Sequence, residues 1–361
     1  MSNSLLKMLF CPKNRRNIFL LCGTCFLTFF FLWTGTAHGQ EGVSQTPYRL
    51  IFWNVENLFD TEDDSLKNDD AFTPMGDNHW TRKRYQQKLT NICRVVAATG
   101  ERGDGGRFEM PEIVGLAEVE NDKVLRDLCN GTSLRRYGYE FVHYESEDAR
   151  GIDNALLYRS DRFKPFFTQT INVGDSSLEL TTRDILLVEG TLPDGDTLIV
   201  LVNHFPSKRS GDASIAKRGH VAHILRATMD TLRERHPEAS IIAMGDFNAT
   251  PDEPEIERIL TSGFEYENLM SKMEKGTGSH KYQGRWSYLD QIIVSRNMLD
   301  GSSPLQVCGG KAYVFALDFM LSDDERHLGK VPFRTYQAIK YIGGYSDHLA
   351  VGVDLILNHI P

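Results

Sequence analysis

Six short apolar runs in this chain end or begin on a residue able to bind a metal or move a proton. LIFW (50–53) is followed by Asn54, with Glu56 two residues further on. IVGLA (113–117) is followed by Glu118, and LIVLVN (198–203) by His204. IIAMG (241–245) runs into Asp246 and then Asn248. Two others show the reverse order: Asp290 comes just before QIIVS, and Asp347 and His348 come just before LAVGVDL. Taken alone, GDFN reads as a turn, because Asp and Asn side chains bond nearby backbone groups. Six such stretches in one chain ask for a common explanation.

The elements that must position these residues are strands and a few helices. Runs short enough for strands lie at Arg49–Trp53, Ile113–Ala117, Ala155–Tyr158, Ile185–Val188, Leu198–Val202, Ile241–Met244, Gln291–Val294 and Leu349–Leu355. Tyr85, Leu89, Ile92 and Val95 recur at helical spacing, with Gly100 as a stop. A second helix is expected over Asn121–Cys129. A third is expected over Asp212–Arg235, with Ile215, Ala222, Leu225, Met229 and Leu232 facing inward. A short one is expected over Pro254–Leu260. This is a mixed α/β pattern. Several runs are apolar on both alternating faces, so helices or a second sheet must cover them. If the last two strands run antiparallel to the first four, the chemistry-bearing residues collect on one sheet edge, where α/β proteins place their sites. The acidic loop Asp60–Asp77 reads as a mobile surface insertion. No repeat and no linker divides the chain.

FWNVENLFD, GLAEVEN, VNHFPSK, GDFNATPDE, WSYLDQIIVS and YSDHLAV resemble, in order, the motifs of the endonuclease/exonuclease/phosphatase superfamily. That group includes pancreatic-type DNases, apurinic endonucleases, bacterial sphingomyelinases and inositol polyphosphate phosphatases. Any one motif is weak; six in order, from Asn54 to His348, are specific. The resemblance implies one catalytic domain, residues 40–361, built as a four-layer α/β sandwich: two mixed sheets face to face with helices on both outer faces. It implies a metal-dependent phosphoesterase, most readily a nuclease, with nucleic acid as its substrate and no protein partner. The cofactor would be Mg²⁺, with Mn²⁺ or Ca²⁺ as substitutes, since phosphodiester hydrolysis needs a hard cation to relieve charge on phosphorus and the leaving oxygen.

By the same resemblance Glu118 is the main metal ligand with Asn54 beside it, and Asp347 is a candidate either for the metal or for supporting the residues that bind it. His348 is the base that activates water, and Asp290 orients it. His204 and Asn248 donate to phosphoryl oxygens. Asp246 either shares water activation or binds a second metal. Asp153 would orient His204, and Arg183 would contact phosphate or serve only as a surface arginine. Ala117 and Gln291 depart from residues common in relatives, at positions that bear on substrate preference.

Composition bounds the setting. Lys13, Arg15 and Arg16 precede the apolar run Ile18–Trp33, and Ala37-His38-Gly39 offers a cleavage site, the pattern of a signal peptide over residues 1–39. The expected mature protein is then periplasmic or secreted, with no stable membrane association. The leader carries Lys7, Lys13, Arg15 and Arg16 and no acids, so a formal charge of −9 becomes −9 − 4 = −13. Such a chain is not a general polyanion binder. Cys93, Cys129 and Cys308 remain, too few for a disulfide framework. His220 with His223, Gly276 with Gly278, the basic clusters at 82–84 and 208–209, and Trp286 with Tyr288 read as ordinary surface or packing, with Lys208 and Arg209, so close to His204, placed to rim a nucleic-acid groove as the alternative.

Rival readings are a sphingomyelinase-like lipid phosphodiesterase, a phosphatase of small molecules, and an inactive binding protein on the same fold. A lipid enzyme should carry an exposed apolar hairpin, and none is legible outside the leader. An inactive relative should have lost a histidine or the metal glutamate, and all are present.

Overall fold

Each long strand carries two alternating sets of apolar side chains, and each set meets a different layer. In the computed structural model, which describes residues 44–101 and 108–359, β1 (Ser44–Leu58) sends Leu50 and Phe52 into one apolar cluster and Ile51 and Trp53 into another. The first cluster lies between two sheets. The second lies under helices. The leader expected over residues 1–39 lies outside the described residues.

The first sheet combines β1, β2 (Ile113–Val119), β3 (Tyr139–His143), β4 (Asp153–Arg159), β13 (Leu305–Val314) and β18 (Val351–His359), in the order β13-β18-β1-β2-β4-β3. The second combines β5 (Lys164–Ile171), β6 (Ile185–Thr191), β7 (Thr197–His204), β8 (Ser240–Asp246), β9 (Tyr266–Asn268) and β12 (Asp290–Ser295), in the order β5-β6-β7-β8-β12-β9. Each holds one parallel pair, β1 with β2 and β7 with β8, flanked by antiparallel pairs. The two sheets thus repeat one succession of pairings. Leu50, Phe52, Val200, Val202, Ile242, Met244 and Ile292 meet between them. Burial of each such side chain contributes about 1.5–3 kcal/mol.

Helices α1 (Arg82–Ala98) and α2 (Asp122–Gly131) cover the first sheet, with Leu89, Ile92 and Leu125 against Ile51, Trp53 and Leu116. Asn121 caps α2 rather than starting it, its Oδ1 accepting from Lys123 N and Val124 N at 2.8 and 3.1 Å. Helix α3 (Asp212–Arg235) covers the second sheet through Val221, Leu225 and Met229. Four layers result. Ile215 departs from the expectation: it is exposed near the start of α3, beyond the reach of the sheet. The short helix forms at Glu255–Leu260 as a π-helical turn.

Two further expectations are corrected. The acidic loop is not a loose insertion. Trp80 Nε1 donates to Phe59 O at 2.9 Å, Phe72 stacks on Phe59 at 4.3 Å, Asn68 N donates to Ala149 O, and Asp60 and Asp69 are buried. Hairpins absent from the sequence reading also appear. These are β10 (His280–Tyr282) with β11 (Arg285–Ser287), β14 (Leu321–Asp323) with β15 (Lys330–Pro332), and β16 (Tyr336–Gln337) with β17 (Lys340–Tyr341). Tyr282, Leu328 and Ile339 stand exposed on them. A single helical turn, α4 (Asn297–Asp300), joins β12 to β13.

Candidate active site

The strand register does most of the assembly. β1 and β2 pair from Leu50 with Ile113 to Asn54 with Ala117, then slip, so that Leu58 opposes Val119. The slip sets Val55, Glu56 and Asn57 against Glu118 alone. Glu56, Asn57 and Glu118 take φ of 54°, 55° and 65°. Such left-handed geometry costs a non-glycine residue about 1–3 kcal/mol and collects at functional sites. A bulge re-aims side chains. Here Glu118 Oε2 accepts from Asn57 N at 2.9 Å, and Oε1 accepts from Asn54 Nδ2 at 3.4 Å.

In the second sheet, Asp246 at the end of β8 pairs with His204 on β7 and with Asp290 on β12. One row across three strands therefore carries a histidine and two carboxylates. His348 precedes β18 and is held by a bridge to His280, by Ser346 Oγ accepting its N–H at 3.0 Å, and by its carbonyl accepting from Trp53 Nε1 at 2.9 Å. The sequence-based picture of one sheet edge is corrected accordingly. The residues stand at matching ends of two sheets, and the site straddles the sandwich.

Asp246 Oδ2 is the meeting point. Asn54 Nδ2 donates to it at 3.2 Å, His204 Nε2 lies 3.6 Å away and His348 Nε2 3.8 Å away. Asp246 Oδ1 accepts from Asn248 N at 2.9 Å, and Asn248, at φ 47°, gives an amide hydrogen to Phe205 O at 3.0 Å. Asp290 Oδ2 accepts from His348 Nδ1 at 2.7 Å and from Ser279 Oγ at 2.5 Å, and Asp290 Oδ1 has no partner among the described residues.

Burial pushes Asp246 up to about 7, with Asp290 adding to the effect. Burial alone would lower His348, but the Asp290 and Asp246 carboxylates hold it well above the usual histidine range. His204 is driven well below that range by burial and by Arg183 and Arg150. Burial and His348 push His280, its ring tilted against that of His348 with centroids 4.6 Å apart, down to about 4. The two histidines facing Asp246 are thus held in opposite states, one favouring the imidazolium and one the neutral ring.

The donor set fits a hard divalent cation. Two carboxylate oxygens, Glu118 Oε1 and Asp246 Oδ2, converge on one amide nitrogen. Asp246, Asp290 and His348 offer ligand atoms within 4.8 Å of one another. Carboxylate and amide oxygens are the ligands Mg²⁺ and Ca²⁺ take; Asn54 would offer its Oδ1, which here accepts from Glu56 N at 3.0 Å, once its amide turned.

Asn54, Glu118, His204, Asp246, Asn248, Asp290 and His348 come together as expected from their positions. Three residues stand elsewhere. Asp347 turns to Arg334 Nη2 at 3.0 Å and groups with His280 and His348, leaving Asp246 beside Glu118 and Asn54. Asp153 does not reach His204. It accepts from Ser146 N at 3.0 Å and lies 3.8 Å from His143. Arg183 is buried, with Nη1 donating to Asp148 at 3.1 Å and Nη2 to the carbonyls of His204 and Phe205 at 3.0 and 2.9 Å. Its place is beneath His204, where it fixes the strand end. Gln291 likewise staples the loop after β8, through Ala249 O and Tyr288 O.

Sequence reasoning missed a supporting group. Buried Glu56 accepts from Thr335 N at 2.6 Å and Arg334 Nε at 3.2 Å, while buried Lys88 on α1 donates to Thr335 Oγ1 and Tyr345 O at 2.6 and 2.8 Å. Lys88 sits on the inward face of its helix, which is the one signal that could have found it. Ser279, His280 and Arg334 belong to segments without periodicity.

A profile of the Endonuclease/Exonuclease/phosphatase family matches residues 49–356. No curated protein matches the chain. Similar solved structures include an endonuclease/exonuclease/phosphatase family protein from Bacteroides thetaiotaomicron, at 16% identity over 87% of this chain and 99% of that one, TM-score 0.54. D. rerio TDP2 matches at 16% identity over 86% of this chain and 99% of its own, TM-score 0.53. The human Nocturnin catalytic domain matches at 17% identity over 87% of this chain and 97% of its own, TM-score 0.52. At such identities the structures speak for the fold, and the family match, which spans every motif from Asn54 to His348, speaks for the rest: the chain belongs to the endonuclease/exonuclease/phosphatase family, metal-dependent hydrolases of phosphoric ester bonds.

Proposed function

We propose that the protein is an exported, Mg²⁺-dependent phosphodiesterase with nucleic acid among its substrates. The observation that carries the reading is the Asp290–His348 pair at 2.7 Å, with the far nitrogen of His348 3.8 Å from Asp246 Oδ2, beside the converging oxygens of Asp246 and Glu118. A base next to a cation-binding carboxylate cluster is what hydrolysis of a phosphoric diester requires.

Asn54, Glu118 and Asp246 would hold the cation, which supplies charge relief at the phosphoryl group and the leaving oxygen. His348 Nε2 takes the proton of the attacking water. Asp290 Oδ2 keeps the proton on Nδ1 and stabilises the imidazolium that forms, while Ser279 holds Asp290 in place. His204 Nε2 and the second amide hydrogen of Asn248 donate to phosphoryl oxygens. Asp246, which with Asp290 favours the His348 imidazolium, is also a carboxylate that a cation would neutralise, so cation loading favours a base-competent His348.

Nucleic acid as substrate is supported by D. rerio TDP2, whose structure holds a single-strand DNA product, and an anion-binding centre by human Nocturnin with bound sulfate. Export is supported by the basic, apolar and small-residue succession over residues 1–39. A lipid phosphodiester is a second reading, favoured by Tyr282, Leu328 and Ile339. Their hairpins flank the site: His280 bridges His348, Lys281 Nζ donates to Leu328 O, and Arg334 meets Asp347.

The test is a substrate panel with Mg²⁺, with and without chelator: single- and double-stranded DNA, RNA, sphingomyelin, inositol phosphates and a bis-aryl phosphodiester. Chelator-sensitive cleavage of nucleic acid and the aryl diester is expected. Activity confined to sphingomyelin or to monoesters would overturn the nuclease reading, and no turnover at all would favour a binding protein.

A further inference from the structure

The hairpin of β10 and β11 touches the catalytic centre at one end and carries an exposed aromatic ring at the other. His280 is bridged to His348, and their ring centroids lie 4.6 Å apart. Tyr282, two residues on, is 68% exposed. A lone exposed aromatic needs no explanation. What singles this one out is its face. Residues two apart on a strand point to the same side, and directly opposed residues of an antiparallel pair share a side. His280 opposes Ser287, Lys281 opposes Trp286 and Tyr282 opposes Arg285. One face of the hairpin therefore carries His280, Ser287, Tyr282 and Arg285, in a row that starts at His348 and runs outward.

The other face anchors it. Lys281 Nζ pairs with Asp324 at 2.9 Å and donates to the carbonyls of Leu328 and Lys330, each at 3.0 Å. Trp286 packs against the apolar cluster that α1 and α2 cover. The turn has two central residues, Gln283 and Gly284, at φ 47° and 77°, the left-handed pair of a type I′ loop. A Cβ on Gly284 would come 3.0 Å from the His327 ring of the neighbouring hairpin. The tip is thus braced, and a braced surface loses little freedom on binding. Tyr282 and Arg285 are not used in the bracing. Gln283 Nε2 donates to the Tyr282 hydroxyl at 3.3 Å, and exposed Arg285 forms no ion pair among the described residues.

We propose that this row is a holding surface for single-stranded nucleic acid: with the scissile phosphate at His348, Tyr282 stacks on a base one step along the strand and Arg285 meets a phosphate beside it. This rests on the phosphodiesterase reading above. Two residues of extended strand span about 7 Å, the scale of a nucleotide step. Every base offers a π-face, so a tyrosine holds a strand without reading its sequence. A guanidinium fork matches a phosphate. Local contacts of this kind suit a chain with a formal charge of −9, whose overall field does not draw a polyanion. A base inside a duplex has both faces covered by its neighbours, so the surface favours unpaired strands. A membrane-docking tip is the poorer match. Tyr282, Gln283, Gly284 and Arg285 offer one ring beside an amide and a cation, and Leu328 is joined to the hairpin through Lys281, on the opposite face.

The test is fluorescence anisotropy of a labelled single-stranded DNA with Mg²⁺, on His348→Ala protein so that the strand is not consumed. Tyr282→Ala, Tyr282→Phe and Arg285→Gln are each added to that parent, and a strand of the same length made of abasic residues is the second ligand. Tyr282→Ala is expected to weaken DNA binding about fivefold or more, the loss of one stacked base, and to leave the abasic strand unchanged. Tyr282→Phe should bind DNA like the parent, since the ring does the stacking. Arg285→Gln should weaken both strands and lower the salt dependence. Both side chains are exposed, so the variants fold. Parental DNA affinity in Tyr282→Ala, an equal loss for the abasic strand, or weaker binding to sphingomyelin vesicles in place of weaker binding to DNA would overturn the proposal. The nuclease reading fails separately: DNA held through Tyr282 but left intact by wild type with Mg²⁺ would sink that reading and keep the surface.

Discussion

At the scale of residues, the site turns on Asp246, which faces Asn54, His204 and His348 at once. Metal binding and proton transfer then belong to different neighbours and can be separated. Glu118→Gln removes a charged oxygen, so kcat should fall at low Mg²⁺ and recover in part as Mg²⁺ is raised. His348→Ala removes the positioned base, worth about 10²–10⁴-fold, and added Mg²⁺ should not restore it. Asp290→Asn should behave like His348→Ala, because the imidazole loses its carboxylate partner. The measurement is kcat against Mg²⁺ for the three variants, with melting temperatures alongside. If well-folded His348→Ala keeps near-normal turnover, Asp290 and His348 only pin two strands together, and the base assignment is wrong.

At the scale of elements, two buried cations hold strand ends in place. Arg183→Met leaves buried Asp148 with only the half-exposed Arg150, at 3.4 Å, as its counter-charge, so the loss approaches the about 3–5 kcal/mol of a buried pair that loses one member. A lower melting temperature and a lower kcat with little change in KM are expected, because His204 loses its anchor. A raised KM at unchanged melting temperature would instead place Arg183 on the substrate. Lys88 ties α1 to the segment before Asp347, and burial pushes its pKa down to about 8, with Glu56 opposing the shift. The folded state therefore holds this proton less tightly than the unfolded chain, where lysine titrates near 10.5. The stability contributed is present in full above the unfolded value and is lost as pH falls through about 8. Denaturant melts from pH 7.5 to 10.5 should show wild type gaining on Lys88→Met as pH rises. Parallel curves would show that Lys88 stays charged.

At the scale of the whole molecule, the sandwich brings together residues from both ends of the chain, Asn54 from β1 and His348 from just before β18. A truncation that reaches Asn54 from one side or His348 from the other removes part of the site. The signal-peptide pattern predicts that the mature protein begins near Gln40. N-terminal sequencing of protein made in an exporting host checks this, and an intact Met1 in the membrane fraction would refute it. With a formal charge of −9, or −9 − 4 = −13 once an expected leader over residues 1–39 is removed, the cation is the main attraction for a polyanionic substrate, and activity is expected to depend on it strongly.

What the sequence determined by itself is local or periodic. Apolar runs on both alternating faces already demanded that helices or a second sheet cover each strand, because no solvent-facing strand is written that way. The polar residues at the ends of those runs already named most of the site. The tertiary structure decided what depends on distance. The half-exposed edge strands β3 and β5 carry too little apolar pattern to be read. The bulge that turns Glu118 appears only when β1 and β2 are laid in register. Asp246 rather than Asp347 stands beside Glu118 because β7, β8 and β12 place His204, Asp246 and Asp290 in one row, whereas Asp347 precedes a strand of the other sheet and meets Arg334 first. Arg183 and Asp153 looked alike in sequence, two charges before strands. Both are buried, but packing set one against the carbonyl beneath His204 and the other against Ser146 N, and those partners are fixed by the packing of layers, not by neighbours in the chain.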